Sequence, residues 1–288
     1  MSVESNVWID EIYEVESGRT IKLKVIDKLV TYDSKFQRIE IYETKAFGKL
    51  LVLDGVFMTT ELDEMGYHEM IAHVPMCVHP APKRVLVIGG GDGGTLREVL
   101  KHKEVEKADI CEIDGDVIRL CREYMPSLSC SFDDPRVTIY TEDGAKFIAE
   151  RKNAYDIILV DSSDPIGPAA VLFSEQFYKN VSQCLDSDGI ASTQSESIFY
   201  HSNIIVTLAN YNKKYFKVPS YYYTMVPTYP SGMIGFSFCS KKYHPLNDFI
   251  QERAQVLLPQ LQYYNPDIHR GAFALPQFIK SKLTGIIV

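Results

Sequence analysis

No apolar run in this sequence is long enough to cross a bilayer, and its opening, Met1-Ser2-Val3-Glu4, begins neither a basic secretory signal nor a transit segment. A cytosolic protein is expected. Positive charge is also scarce: 30 Lys and Arg against 38 Asp and Glu leave a formal net charge of -8. That balance opposes nucleic-acid backbone and anionic lipid and favours cationic ligands. The six cysteines form no C-x-x-C pair and sit mostly inside apolar segments, which argues for small buried hydrophobes over disulfides or zinc. Low-complexity tracts, internal repeats and Gly/Ser/Pro linkers are missing as well, so order is expected nearly end to end, with the parts packed against each other.

What is present suits a large core with a smaller appended module, because 288 residues are many for one domain and few for two. Residues Ile21 to Val30 and Phe36 to Tyr42 alternate apolar and polar, and Asp54-Gly55 separates two apolar runs between Leu50 and Thr60. This is hairpin chemistry and predicts a small antiparallel β module over residues 1–62. From Tyr67 the spacing Tyr67, Met70, Ile71, Val74 is that of one helical face. Strands then alternate with helices: Arg84 to Ile88, Ala108 to Ile113, Val137 to Tyr140 and Tyr155 to Val160 read as buried strands. Residues 63–288 are therefore expected to be an α/β domain, a parallel sheet covered on both faces, whose ligands bind beyond the carboxyl ends of its strands.

The residues at those ends are acidic. After the first strand, Gly89-Gly90-Gly91-Asp92-Gly93-Gly94 satisfies the glycine spacing of a dinucleotide turn, but the Asp92 carboxylate would repel a pyrophosphate and attract a cation such as a sulfonium nucleoside. Glu112 closes the second strand about twenty residues later, where such folds place an acid on the ribose hydroxyls. Asp143-Gly144 follows the third strand and suits an adenine amino group, although the same pair is an ordinary turn and helix cap. Asp161-Ser162-Ser163-Asp164-Pro165-Ile166-Gly167-Pro168 follows the fourth. Two acids in one shaped loop, added to Asp92, Glu112 and Asp143, repel one another and call for a cationic ligand.

These segments, with Tyr67-His-Glu-Met70, Gln194-Ser-Glu-Ser197, Tyr229-Pro-Ser-Gly232 and His269-Arg-Gly-Ala-Phe-Ala-Leu-Pro276, resemble the spermidine synthases, the polyamine aminopropyltransferases, from Trp8 to Pro276 and in the family's order. The resemblance implies a methyltransferase-like Rossmann domain after the β module, homodimers or homotetramers, and no metal. It implies transfer of the aminopropyl group of decarboxylated S-adenosylmethionine, a co-substrate and not a resident cofactor, to putrescine. Matched by position, Gln37, Glu112, Asp143, Gly144 and Pro168 would contact the nucleoside, and Asp92 and Asp161 the aminopropyl ammonium. Tyr67, His68, Asp164, Gln194 and Tyr229 would line the amine channel, and Trp8 would close its far end. Met58 and Met65 depart from common family choices, Gln and Phe, near that channel, so cadaverine, agmatine or spermidine stay open as acceptors.

The expected chemistry is one in-line displacement at the carbon beside the sulfonium, with Asp161 accepting or directing the amine's proton. Putrescine N-methylation with the intact donor is the nearest rival; that donor carries a carboxylate where Asp92 and Asp161 would lie. A polyamine-binding paralogue should have lost part of the acid set, and a dehydrogenase is disfavoured by Asp92. His68 and His73 resemble a zincin helix but stand five residues apart, off a common face. In Tyr221-Tyr222-Tyr223, strand periodicity predicts at least partly ordinary sheet packing.

Overall fold

The computed structural model describes residues 7–288. Among them, strands β1 (Val7–Asp10), β2 (Lys22–Asp33), β3 (Arg38–Thr44), β4 (Gly48–Leu53) and β5 (Val56–Thr60) form one antiparallel sheet in chain order. The Asp54-Gly55 turn joining β4 to β5 has both residues at positive φ, 49° and 84°, the twist that a two-residue hairpin turn requires. Its apolar residues serve two cores. Leu23, Val25, Tyr42, Leu50, Val52 and Phe57 cluster together, while Ile39, Ile41 and Leu51 pack on Val117, Leu120, Cys121, Met125 and Leu128 of the following domain. The two modules thus share buried surface.

Helix α1 (Glu64–Met76) leads into the second sheet, which contains β6 (Arg84–Gly89), β7 (Lys107–Cys111), β8 (Val137–Tyr140), β9 (Tyr155–Asp161), β10 (Leu185–Gln194), β11 (Val218–Met225) and β12 (Met233–Ser240). Its order is β11-β12-β10-β9-β6-β7-β8. Five strands run parallel as the alternation with helices predicts, but β12 is antiparallel to β10 and to β11. The sheet is therefore mixed, not purely parallel. The segment between β11 and β12 is too short for a helical crossover, so those strands must pair as a hairpin. Tyr221 and Tyr222 are buried there: Tyr222 shares a hydrogen bond with Ser192 (2.7 Å) and donates to the Met70 carbonyl, which makes it a packing residue.

One face of the sheet is covered by α1 and α2 (Gly94–Leu100), with Met70, Ile71, Val74, Leu96 and Val99 on Val85, Val87, Ile157 and Leu159. The other face packs Phe147, Phe177, Tyr178 and Val181 on Leu86, Ile88, Ile158 and Val160. With both faces sealed, the open ground lies at the strand ends. Five of the six cysteines are buried and Cys130 is exposed.

Candidate active site

The carboxyl ends of β6 and β9 bring the first pair of acids together. Gly90 N–H donates to the Asp161 carbonyl (2.9 Å), tying the glycine turn to the last residue of β9. Inside the turn, Gly94 N–H donates to Asp92 Oδ1 at 2.6 Å. A Cβ at Gly94 would lie 2.3 Å from the ring of His68, so the absence of a side chain there is what admits the imidazole to the turn.

His68 is buried on α1 and faces a carboxylate at each ring nitrogen: Glu64 Oε2 is 2.6 Å from Nδ1 and Asp92 Oδ1 is 3.4 Å from Nε2. Arg97 fixes the outer end of this chain by donating to both Glu64 oxygens (2.9 and 2.8 Å). Burial opposes a charge on His68, but Asp92 and Glu64 outweigh it and hold the imidazole protonated well above its ordinary range. Asp92 gains the converse. Against its own burial, the His68 charge and the Gly94 N–H keep its carboxyl below the usual range.

Asp161 has the opposite bias. Burial and the charge of Asp92 push it up to about 6, although Thr95 donates to its Oδ2 (2.6 Å) and the Tyr67 hydroxyl is directed at it. Glu112, directly after β7, is pushed up to about 7 by burial and by the charges of Asp114, Asp161 and Asp92, against the Asp114 N–H that donates to it at 2.9 Å. One acid in this cluster is a fixed anion and two are poised to exchange a proton near neutrality, a division expected of carboxylates crowded in one desolvated site.

A cavity of about 1080 Å³ including its mouth opens over these groups, lined among others by Gln37, His68, Asp92, Glu112, Asp143, Gly144, Asp161 and Pro168. All five residues expected at the nucleoside, together with Asp92 and Asp161, therefore face one space. Gln37 Nε2 is held at 3.0 Å from Asp114 Oδ2, and Asp143 caps the helix Gly144–Ala149 through Ala145 N–H while it also faces the cavity. The capping and binding readings of Asp143 are compatible. Pro168, Ala169, Val171 and Leu172 form the wall over this space from an outlying turn.

A second, narrower cavity of about 540 Å³ adjoins it, and Met58, Tyr67, Ser162, Ser163 and Tyr229 line both. Tyr229 is anchored by its hydroxyl, which donates to the Met58 carbonyl (2.8 Å). Asp164 and Gln194 line the narrower side, where Gln194 Nε2 donates to Asp164 at 3.2 Å. Burial and the nearby Glu196 and Glu11 raise Asp164 well above the ordinary range despite His201 and Gln194. Glu11 Oε2, Gln194 Oε1 and Ser162 Oγ are buried without a hydrogen-bond partner and all belong to this lining. The Glu11 and Gln194 oxygens can accept hydrogen bonds, and the Ser162 hydroxyl can donate or accept.

The far end is not closed by Trp8. Its indole is 53% exposed on the edge strand β1, opposite Lys24, and contributes to neither cavity. Glu11, Tyr13 and Glu14, from the connection after β1, lie there instead, with Glu196, Tyr200 and His201. Glu196 stands within the quoted Gln194-Ser-Glu-Ser197 segment, where its type alone was a signal. Its backbone is left-handed (φ 68°), with Gly235 N–H and the Tyr221 hydroxyl both donating to its carbonyl. Strain of this kind, over-determined by its surroundings, is common at functional sites. Met65 lines neither cavity, whereas Met58 sits at their junction.

Residues 64–250 match the model of the spermine/spermidine synthase domain, and residues 7–61 that of the spermidine synthase tetramerisation domain. The chain belongs to the spermine/spermidine synthase family. This family member is 46% identical over 275 residues to the polyamine aminopropyltransferase of Leptospira biflexa, covering 96% of this chain and 97% of the relative. It superposes on a spermidine synthase crystallised with the transition-state analogue AdoDATO (TM-score 0.94, 43% identity, 97% and 96% of the two chains). The Thermotoga maritima spermidine synthase is as similar (TM-score 0.92, 43% identity, 97% and 95%). The activity is aminopropyl transfer. Ligand atoms of His68, Asp92 and Asp161 lie within 4.8 Å of one another, as a metal site could require. In this aminopropyltransferase the two ring nitrogens of His68 each face a carboxylate, Glu64 and Asp92. Among the described residues no helix is long and apolar enough to cross a membrane.

Proposed function

We propose that this aminopropyltransferase uses decarboxylated S-adenosylmethionine as donor and putrescine as acceptor, giving spermidine and methylthioadenosine. The observation that carries the reading is the junction of the two cavities. The larger one ends in Asp92 and Asp161, and the narrower one leads away between Tyr67 and Tyr229 to carboxylate and amide oxygens that lack donors. A flat polar nucleoside suits the first space. A short chain with an ammonium at each end suits the second, because its far nitrogen supplies N–H donors to Glu11, Gln194 and Asp164.

In the reaction the amine lone pair forms a C–N bond to the carbon beside the sulfonium as the C–S bond breaks with its electrons passing to sulfur. An alkyl ammonium titrates near the lysine value of about 10.4, so it must lose a proton first. Asp161 takes it: with its affinity for protons raised to about 6, it is a better acceptor than an ordinary carboxylate, and Tyr67 and Thr95 steady it. Asp92, held anionic by His68, binds the donor's own ammonium without competing for that proton. Positioning supplies the rest of the acceleration. The donor brings its own leaving group, so the step needs neither metal nor redox cofactor.

We further infer a homo-oligomer working in the cytosol. Val7, Trp8, Ile12, Val15 and Ile26 are large apolar residues exposed within the segment that matches the tetramerisation model. Surface of this kind favours association with a second copy.

Incubating the protein with decarboxylated or intact S-adenosylmethionine and putrescine, and identifying products by mass, tests the assignment. Spermidine and methylthioadenosine from the decarboxylated donor are expected. N-methylputrescine from the intact donor would overturn it.

A further inference from the structure

The far wall of the narrower cavity is an ion-paired latch between the two modules. His201, at the end of the loop that follows β10, places Nε2 2.8 Å from Glu14 Oε1 and Nδ1 2.6 Å from Glu196 Oε2. Glu14 belongs to the β1–β2 connection, so the imidazole bridges the N-terminal sheet to the α/β domain. Tyr13 reinforces the contact: its hydroxyl donates to Glu196 Oε1 (3.3 Å) and its ring lies 5.6 Å from that of His201. Outside this layer Arg19 pairs with Glu14 and stacks on Tyr200, its guanidinium 3.4 Å from the ring centroid. Arg19 is not part of the cavity lining and is about one-third exposed, so it backs the latch from its solvent side.

We propose that the His201 imidazole, clamped between Glu14 and Glu196, is the end-stop of the acceptor channel and limits the length of amine that reaches Asp161. The inference rests on reading the narrower cavity as that channel. A four-carbon diamine ends within the latch and leaves it intact, whereas a triamine would have to pass a further aminoalkyl arm through the position of the ring. The wall is charged as well as solid. Against the burial of the ring, Glu196, Glu14 and Asp164 raise the affinity of His201 for its proton, so a further ammonium, beyond the one that Glu11, Gln194 and Asp164 accept from, meets a cation.

The test compares kcat/KM for 1,3-diaminopropane, putrescine, cadaverine and spermidine, with decarboxylated S-adenosylmethionine as donor, in the unaltered enzyme, His201→Ala and His201→Gln. His201→Ala is expected to raise the spermidine-to-putrescine ratio by about tenfold or more, the effect of relieving a misfit of a methylene or larger in a closed pocket. His201→Gln, which keeps a polar side chain of similar reach, should shift it much less. An unchanged ratio in His201→Ala, or an equal rise in both variants, overturns the end-stop. Should His201→Ala fail to fold, Glu14→Ala frees the ring from one side without altering the loop after β10. The same rise, smaller, is expected there, and none would contradict the proposal. If the unaltered enzyme transfers to none of these amines, the acceptor reading itself fails and takes the end-stop with it; an active enzyme whose ratio does not move disproves the end-stop alone.

Discussion

His68 Nε2 stands 3.4 Å from Asp92 Oδ1, and this pairing separates the roles of two carboxylates that would otherwise share one proton. The imidazolium keeps Asp92 ionised and, by the same charge, moderates the rise at Asp161. Replacing His68 with Gln removes that charge, so Asp161 should bind its proton more tightly. The acid limb of the kcat/KM–pH profile, expected near 6 in the unaltered enzyme, should move to higher pH. A limb that stays in place or moves lower would detach His68 from the electrostatics of Asp161.

Gly94 offers a steric test of the same arrangement. An alanine Cβ there would lie 2.3 Å from the buried His68 ring, too close for either group to stay in place. Gly94→Ala should cost about 1–3 kcal/mol, as overpacking in a filled interior does, and lower activity by displacing the ring. Thermal unfolding and turnover together check it: a normal Tm with normal turnover would mean that His68 moves freely and is not positioned by the turn.

On the proposed reading Glu112 holds the nucleoside end. Burial pushes its carboxyl up to about 7, and the ionised form is the stronger acceptor for ribose hydroxyls, so methylthioadenosine should bind more tightly as pH rises through 7. Glu112→Gln should weaken binding at pH 8 by about ten- to a hundredfold, the worth of hydrogen bonds to a charged group, and flatten the pH dependence. Calorimetric titration at pH 6 and 8 reads both. Unchanged affinity in the variant would remove Glu112 from the ribose.

The acids that line the larger cavity were legible in the sequence because each follows a strand of the parallel sheet. Asp92, Glu112, Asp143 and Asp161 occupy such ends, and topology alone gathers strand ends on one rim. The acceptor half was only partly legible. Tyr67, Asp164, Gln194 and Tyr229, singled out by the family resemblance, line the narrower cavity, but Glu11, Tyr13, Glu14 and His201 enter through a contact between segments 183 residues apart, as in the Tyr13–Glu196 hydrogen bond. No local periodicity reports such a contact. Trp8 shows the converse error: an aromatic near the right segment is directed outward because its neighbour Ile9 takes the core-facing side of the strand. The antiparallel β11–β12 pair was hidden for a related reason, since alternating apolar residues give strand existence but not direction.

Donor choice follows from the fixed charges. Intact S-adenosylmethionine would place a carboxylate beside Asp92 and Asp161, and repulsion in a partly desolvated pocket costs several kcal/mol, each 1.4 of which is about tenfold. The decarboxylated donor should be preferred by several orders of magnitude in kcat/KM. Asp92→Asn should narrow that preference by weakening the better donor and relieving the worse. Comparable turnover of both donors by the unaltered enzyme would contradict the account of the acidic pocket.

The central claim is that Asp161, at the meeting of the two cavities, accepts the proton of the attacking amine. Turnover by Asp161→Asn as a function of pH tests it most directly, because the amide keeps the shape and the bond to Thr95 while it abolishes the charge. The account predicts a fall of about 10²- to 10⁴-fold at neutral pH, the usual worth of a general base. It also predicts methylthioadenosine affinity close to normal, loss of the limb near 6, and partial recovery of rate at high pH, where more amine arrives uncharged. Near-normal turnover at neutral pH, or a slow variant that keeps the limb near 6 and gains nothing at high pH, would contradict it.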